Sequence, residues 1–81
     1  MKIIVTLYYH LKEKAGIGEV NLEVDDHTTI KDIKQILEKT YPPLRTHLDN
    51  VMVLMDQKIV LDEDLIQPDA NIAFLTPVGG G

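Results

Sequence analysis

The 81-residue chain contains no cysteine, no serine and no tryptophan. Without cysteine there are no disulfides, no thiolate metal sites and no cysteine nucleophile. Without serine there is no serine nucleophile either. Aromatic side chains are scarce, namely Tyr8, Tyr9, Tyr41 and Phe74. The core must therefore be built mainly from Ile, Val and Leu. Positive charge is also short: eight Lys and Arg against thirteen Asp and Glu give a net charge of -5. Nucleic acid and anionic membrane surfaces both require a basic footprint, so neither is expected as a partner. A basic protein surface is the complementary one, with charge mainly speeding the encounter. No segment approaches the roughly 20 apolar residues of a membrane-spanning helix. Met1-Lys2 leads straight into a strand-like run rather than a signal peptide, which makes the cytoplasm the expected location.

The histidines offer no metal site. His10, His27 and His47 are scattered, with no pair at i,i+4 spacing and no cysteine to join them, and they read as exposed side chains. No glycine-rich loop precedes a helix to cradle phosphate. Asp62-Glu63-Asp64 reads as a solvated acidic stretch.

The pattern that is present suits one small domain, with 44% apolar and 26% charged residues. Lys2 to Tyr9 is rich in β-branched and aromatic residues and predicts a strand. Its more continuous apolar face, Ile3, Val5, Leu7 and Tyr9, should meet the core, leaving Ile4 and Tyr8 outward. His10 to Gly16 is compatible with a helical turn or a loop. Glu19 to Asp25 alternates, with Val20, Leu22 and Val24 inward, and should pair with the first strand as an antiparallel hairpin.

Thr29 followed by Asp32 forms a capping-box pattern at the start of a helix. Ile30, Ile33, Ile36, Leu37 and Tyr41 make its apolar stripe, with Lys31, Lys34, Gln35 and Glu38 toward water. Pro42-Pro43 ends it. Leu44 to Asn50 is a connector with room for one helical turn. Val51 to Met55 is continuously apolar and predicts a strand buried on both faces. Asp56-Gln57 is a tight turn into a short strand, Lys58 to Leu61. Leu65-Ile66 return to the core, Pro68-Asp69 turns, and Ile72 to Leu75 is the last strand.

The order β-β-α-β-β-β, with one main helix across one face of a mixed sheet, is a two-layer α+β solution. It corresponds to the β-grasp, or ubiquitin-like, roll, with the first and last strands parallel and adjacent at the centre. Residues 1–76 form the expected domain and 77–81 a flexible C-terminal tail. That tail, Pro77-Val78-Gly79-Gly80-Gly81, is either a frayed end or an instrument. In favour of the second, glycines let a backbone run through a tunnel that any Cβ would block, and delivering the Gly81 carboxylate there would leave catalysis to partners.

Two segments carry a family resemblance. Leu7-Tyr8-Tyr9-His10-Leu11-Lys12-Glu13, followed by Gly16, resembles an apolar-aromatic strand with a basic-acidic pair and glycine. Asp62 to Gly81 resembles the closing strand and Gly-Gly end of the same family. This is the MoaD/ThiS family of ubiquitin-like sulfur carriers, and the pattern is most similar to the small subunit of molybdopterin synthase. Three features depart from it: Thr76 in place of the first of two prolines, Asp56-Gln57 in place of an Asn-Gly-like turn, and Gln67 to Asn71 in place of an Asp-Gly-Asp turn.

The resemblance implies a division of labour. An adenylating enzyme similar to ubiquitin-activating enzymes would react the Gly81 carboxylate with ATP and Mg. A sulfurtransferase would convert the adenylate to a thiocarboxylate. The large synthase subunit, in a heterotetramer, would take the tail and pass its sulfur to a pterin precursor of the molybdenum cofactor. Gly80-Gly81 would be the functional pair and Gly79 a spacer after Pro77-Val78, with Tyr8, Ile59 and Leu75 at the partner interface. The chain itself would bind no cofactor or metal and would be a non-catalytic, sulfur-carrying subunit of a sulfurtransferase. Two alternatives fit the same pattern: a thiamine-pathway sulfur carrier, in which a triple glycine is frequent, and a ubiquitin-like modifier conjugated through Gly81.

Overall fold

The computed structural model describes residues 1–76; Pro77, Val78, Gly79, Gly80 and Gly81, the expected tail, lie outside the described residues. Five strands and two helices follow in order: β1 (Lys2–Leu7), α1 (Tyr9–Ala15), β2 (Glu19–Glu23), α2 (Ile30–Thr40), β3 (Met52–Met55), β4 (Lys58–Val60) and β5 (Asn71–Leu75). Two short 3-10 turns, Pro42–Leu44 and Leu48–Asn50, fill the connector after α2. The strands form one mixed sheet in the order β2-β1-β5-β3-β4. β1 and β2 are the expected antiparallel hairpin, with Val5 opposite Val20. β1 and β5 run parallel and adjacent, with Val5 opposite Ile72 and Leu7 opposite Phe74. This is the β-grasp roll.

Alternation along β1 sends Ile3, Val5 and Leu7 into the core, where they meet Ile72 and Phe74 from β5 and Ile30, Ile33 and Leu37 from α2. Helix α2 starts where the sequence places it. Thr29 Oγ1 accepts from the Asp32 N–H, and an Asp32 carboxylate oxygen accepts from the Thr29 N–H at 3.0 Å, closing the capping box. The helix stops at Thr40, just ahead of Pro42.

Several expectations give way. Tyr9 does not extend the core face of β1. It starts α1 with φ +52° and is exposed, because the chain must leave the sheet for Leu11 to reach the core. Where a helical turn or a loop was open, there are two turns of helix, ended by Gly16 in the left-handed region (φ +76°), its N–H donating to the Lys12 carbonyl. The apolar run of β3 is not buried on both faces. Val53 is buried, while Met52 on the opposite face is exposed. The helices cover one side of the sheet only, so the continuous run marks a bare apolar face rather than a second buried layer.

Lys34 does not face water but pairs with Asp62. The acidic stretch is correspondingly more than a solvated loop. The Asp62 carbonyl accepts from the Lys31 N–H, the Asp64 carbonyl accepts from the Ile30 N–H, and the Asp64 carboxylate accepts from the Leu61 N–H. The first two of these bonds satisfy donors at the first turn of α2, which the helix itself cannot, and the third fixes the loop that supplies the carbonyls. Of Leu65 and Ile66, only Ile66 returns to the core, and Leu65 stays exposed.

Candidate functional site

The face of the sheet opposite α2 holds the candidate surface. Register builds it residue by residue. Thr6 lies opposite Ala73, Ala73 opposite Leu54, and Leu54 opposite Ile59, forming one row across β1, β5, β3 and β4. Leu75 lies opposite Met52 in the next row. Side chains in such rows share a face, since each residue steps to the other side of the pleat from its neighbour. Ile4, Tyr8, Met52 and Ile59 on this face are all exposed. Scattered exposed apolar residues need no explanation, but a contiguous set on one sheet face marks an interaction surface.

Tyr8, Ile59 and Leu75 are thus brought onto one face. Tyr8 and Leu75 share a shallow depression of about 430 Å³ with Thr6, Leu54 and Ala73, closed at one end by Asp56 and Gln57. Ile59 is the most exposed of the large apolar side chains, at 68%. Its three-residue strand carries too little alternation to phase from sequence; the pairing of Leu54 with Ile59 settles the side. Val60, the residue after it, packs against the core instead.

Tyr8 and Leu75 lie at the end of the sheet next to Thr76. The Tyr8 N–H donates to the Phe74 carbonyl at 3.2 Å, which ties the end of β1 to the end of β5, two residues before Thr76. Gly79, Gly80, Gly81 and the preceding Pro77-Val78 are outside the described residues. A second depression, about 450 Å³, lies at the other end of β1 beside Lys2, Ile4, Asn21, Glu23 and Asp69. It lies away from Thr76, at the opposite end of the sheet from Tyr8 and Leu75.

The body offers little chemistry of its own. Among the described residues no three His, Asp or Glu side chains group to hold a metal ion. His10 and His27 are exposed, each near an acidic neighbour, Glu13 and Asp26 respectively. Asp25 is the one described carboxylate with a clear electrostatic signature. The His27 N–H and the Thr28 hydroxyl donate to its Oδ1 at 2.9 and 3.1 Å, and these bonds hold it below the usual carboxylate range. It anchors the turn before α2, far in sequence from β5. No helix among the described residues is long and apolar enough to cross a membrane.

Comparison with known proteins agrees with a β-grasp carrier. The model of the ThiS family matches residues 5–81. The chain belongs to the ThiS family, the ubiquitin-like sulfur-carrier group that also takes in MoaD-like proteins. No curated protein matches it by sequence. Among solved structures, SAMP1 of Haloferax volcanii is 24% identical, superposes with a TM-score of 0.89 and is matched over 100% of both chains. A protein in the complex of subunits 1 and 2 of the molybdopterin-converting factor of Helicobacter pylori is 16% identical, with a TM-score of 0.74 over 100% of both chains. Urm1 of Trypanosoma brucei is 18% identical, with a TM-score of 0.72 over 99% of this chain and 95% of its own. Likeness at these identities speaks for the fold alone. A modifier and a molybdopterin-converting subunit thus stand side by side as neighbours.

Proposed function

We propose that this chain is a sulfur carrier acting as the small subunit of molybdopterin synthase, with the Gly81 carboxyl as the group that carries sulfur. The observation that supports it most is the family match, which runs through Gly80 and Gly81. A partner enzyme uses ATP and Mg to adenylate Gly81, releasing pyrophosphate. A sulfurtransferase then displaces AMP and leaves a thiocarboxylate. The large synthase subunit docks on the bare sheet face, at Tyr8, Ile59 and Leu75, and takes the tail into its own active site. The glycines at 79–81 keep that tail slim, so no Cβ obstructs a narrow channel. A large-subunit partner is consistent with the Helicobacter pylori neighbour, which is solved as a complex of subunit 1 with subunit 2.

The test is intact mass after incubation with the adenylating enzyme, ATP, Mg and a sulfur source. The expected result is one oxygen exchanged for one sulfur at the C-terminus, lost when Gly81 is deleted or Gly80 is made bulky. No exchange overturns the reading.

A second reading is a modifier joined through Gly81 to lysines of other proteins, in keeping with a small archaeal modifier protein among the structural neighbours. Gly81-dependent bands of higher mass on a denaturing gel of cell extract would support it. A thiamine-pathway role is separated from both by which large partner co-purifies with the chain.

A further inference from the structure

Burial of Leu11 accounts for the turn of the chain at position 9, but not for a tyrosine in that turn. The Tyr9 backbone sits at φ +52°, a region that bulky L-residues rarely occupy and that glycine or asparagine fills more easily. Its side chain gains little burial in exchange, being 61% exposed. The ring lies 6.1 Å from that of Tyr8, centroid to centroid, at 43°. The two aromatics therefore stand as a pair at the end of β1, the strand end tied to Phe74 by the Tyr8 N–H. Met52, opposite Leu75, flanks the end of β5 from the β3 side. A strained backbone carrying an exposed large ring is a signature of a functional position.

We infer that Tyr9 is a positioning residue for activation of the tail: its ring, with Tyr8, is covered by the adenylating enzyme and sets where the tail enters that enzyme. This rests on the sulfur-carrier reading proposed above. The reach of the chain argues for this occupant. Residues 77–81 span at most about 17 Å when extended. An enzyme that holds Gly81 in its active site must therefore come close to Thr76, where Tyr8, Met52 and Leu75 flank the end of β5 and the Tyr9 ring stands next to that of Tyr8. Tyr8 and Leu75 also line the sheet-face depression. Tyr9 extends this surface beyond the sheet onto the first turn of α1. A paired, exposed tyrosine presents rigid apolar area with a polar tip, the kind of side chain that dominates protein interfaces.

The full chain, its adenylating enzyme, ATP, Mg and radiolabelled pyrophosphate allow ATP–pyrophosphate exchange to be measured against carrier concentration. Tyr9→Gly removes the ring and the backbone strain together. It is expected to leave the thermal midpoint unchanged or raised while raising the KM for the carrier roughly tenfold, with kcat little altered. Tyr9→Asn, which also tolerates positive φ, should behave alike, and Tyr9→Phe should restore the wild-type KM. A Tyr9→Gly protein that is folded, with unchanged KM, overturns the inference. So does a Tyr9→Phe protein as impaired as Tyr9→Gly. If the wild-type chain supports no exchange at all, the sulfur-carrier reading itself falls and takes the role of Tyr9 with it.

Discussion

Lys34 Nζ on α2 stands 2.6 Å from Asp62 Oδ1, joining residues 28 positions apart. The lysine side chain is only 16% exposed, whereas that of Asp62 is 51% exposed. Around this pair, the carbonyls of Asp62 and Asp64 accept from the N–H groups of Lys31 and Ile30. The segment after β4 is thus fastened to the start of the helix by main chain and side chain together. A fully desolvated charge-assisted bond is worth more, but solvent around Asp62 screens this one, and about 1 kcal/mol is expected. Lys34→Met keeps the stem packed and removes the charge. A double-mutant cycle with Asp62→Ala, followed by urea unfolding, should return a coupling of that size that weakens with added salt. Zero coupling would mean that the main-chain bonds hold the segment unaided.

That pair also shows what sequence reading captures and what it misses. The order of elements, the hairpin, the parallel β1–β5 neighbours and the Thr29–Asp32 cap were all legible, because periodicity and capping are local patterns. The partner of Lys34 was not, since an ion pair across 28 positions leaves no local trace. The Val51–Met55 run was ambiguous for another reason. An apolar strand reads alike whether a second layer covers it or a partner is meant to. Tyr9 failed because its hydrophobicity fitted the strand period, while the need to bury Leu11 turned the backbone one residue early. For the candidate site, Tyr8 and Leu75 could be phased as outward from strand alternation; Ile59 required the register of β4 against β3.

The β3–β4 hairpin turns at Asp56 and Gln57, with φ of +50° and +72°. Two-residue hairpin turns of this kind favour Asn-Gly, because both residues must accept positive φ. Asp56 has compensation: its Oδ1 accepts from the Asn71 N–H at 3.1 Å, and its own N–H donates to the Asn71 carbonyl. Neither hydrogen bond involves Gln57. Gln57→Gly should therefore stabilise the domain by about 0.5–1 kcal/mol, read as a higher urea midpoint at unchanged slope. A loss of stability would show that the glutamine side chain contributes more than its backbone strain costs.

Asp25 gives a pH dependence of definite sign. Its carboxylate accepts first from the His27 N–H and then from the Thr28 hydroxyl, and both favour the charged form. The folded state therefore holds this proton less tightly than the unfolded chain does. The contribution is complete above the ordinary aspartate value and is lost as pH falls through the lowered one. Asp25→Asn should flatten the acid limb of a stability–pH curve while leaving its neutral-to-basic shape alone. An unchanged acid limb would place the acid sensitivity on other carboxylates.

Ile59 and Leu37 are both aliphatic and lie on opposite sides of the fold, which allows stability and docking to be separated. Leu37 is completely buried under the sheet, so Leu37→Ala leaves a cavity and should cost about 2–5 kcal/mol. An 81-residue domain has about 4–12 kcal/mol in all. That variant should thus be markedly less stable, yet once folded at low temperature it should still bind a partner through the sheet face. Ile59, largely exposed on a strand edge, has little burial to lose, and Ile59→Ser should change the urea midpoint hardly at all. If the bare face meets the large synthase subunit, the same substitution should weaken that complex about tenfold in a titration, since an exposed apolar anchor acts only when a partner covers it. Two opposite patterns would be decisive. A stability loss in Ile59→Ser with intact binding would make β4 a structural edge, and unchanged binding without stability loss would move the docking surface off this row.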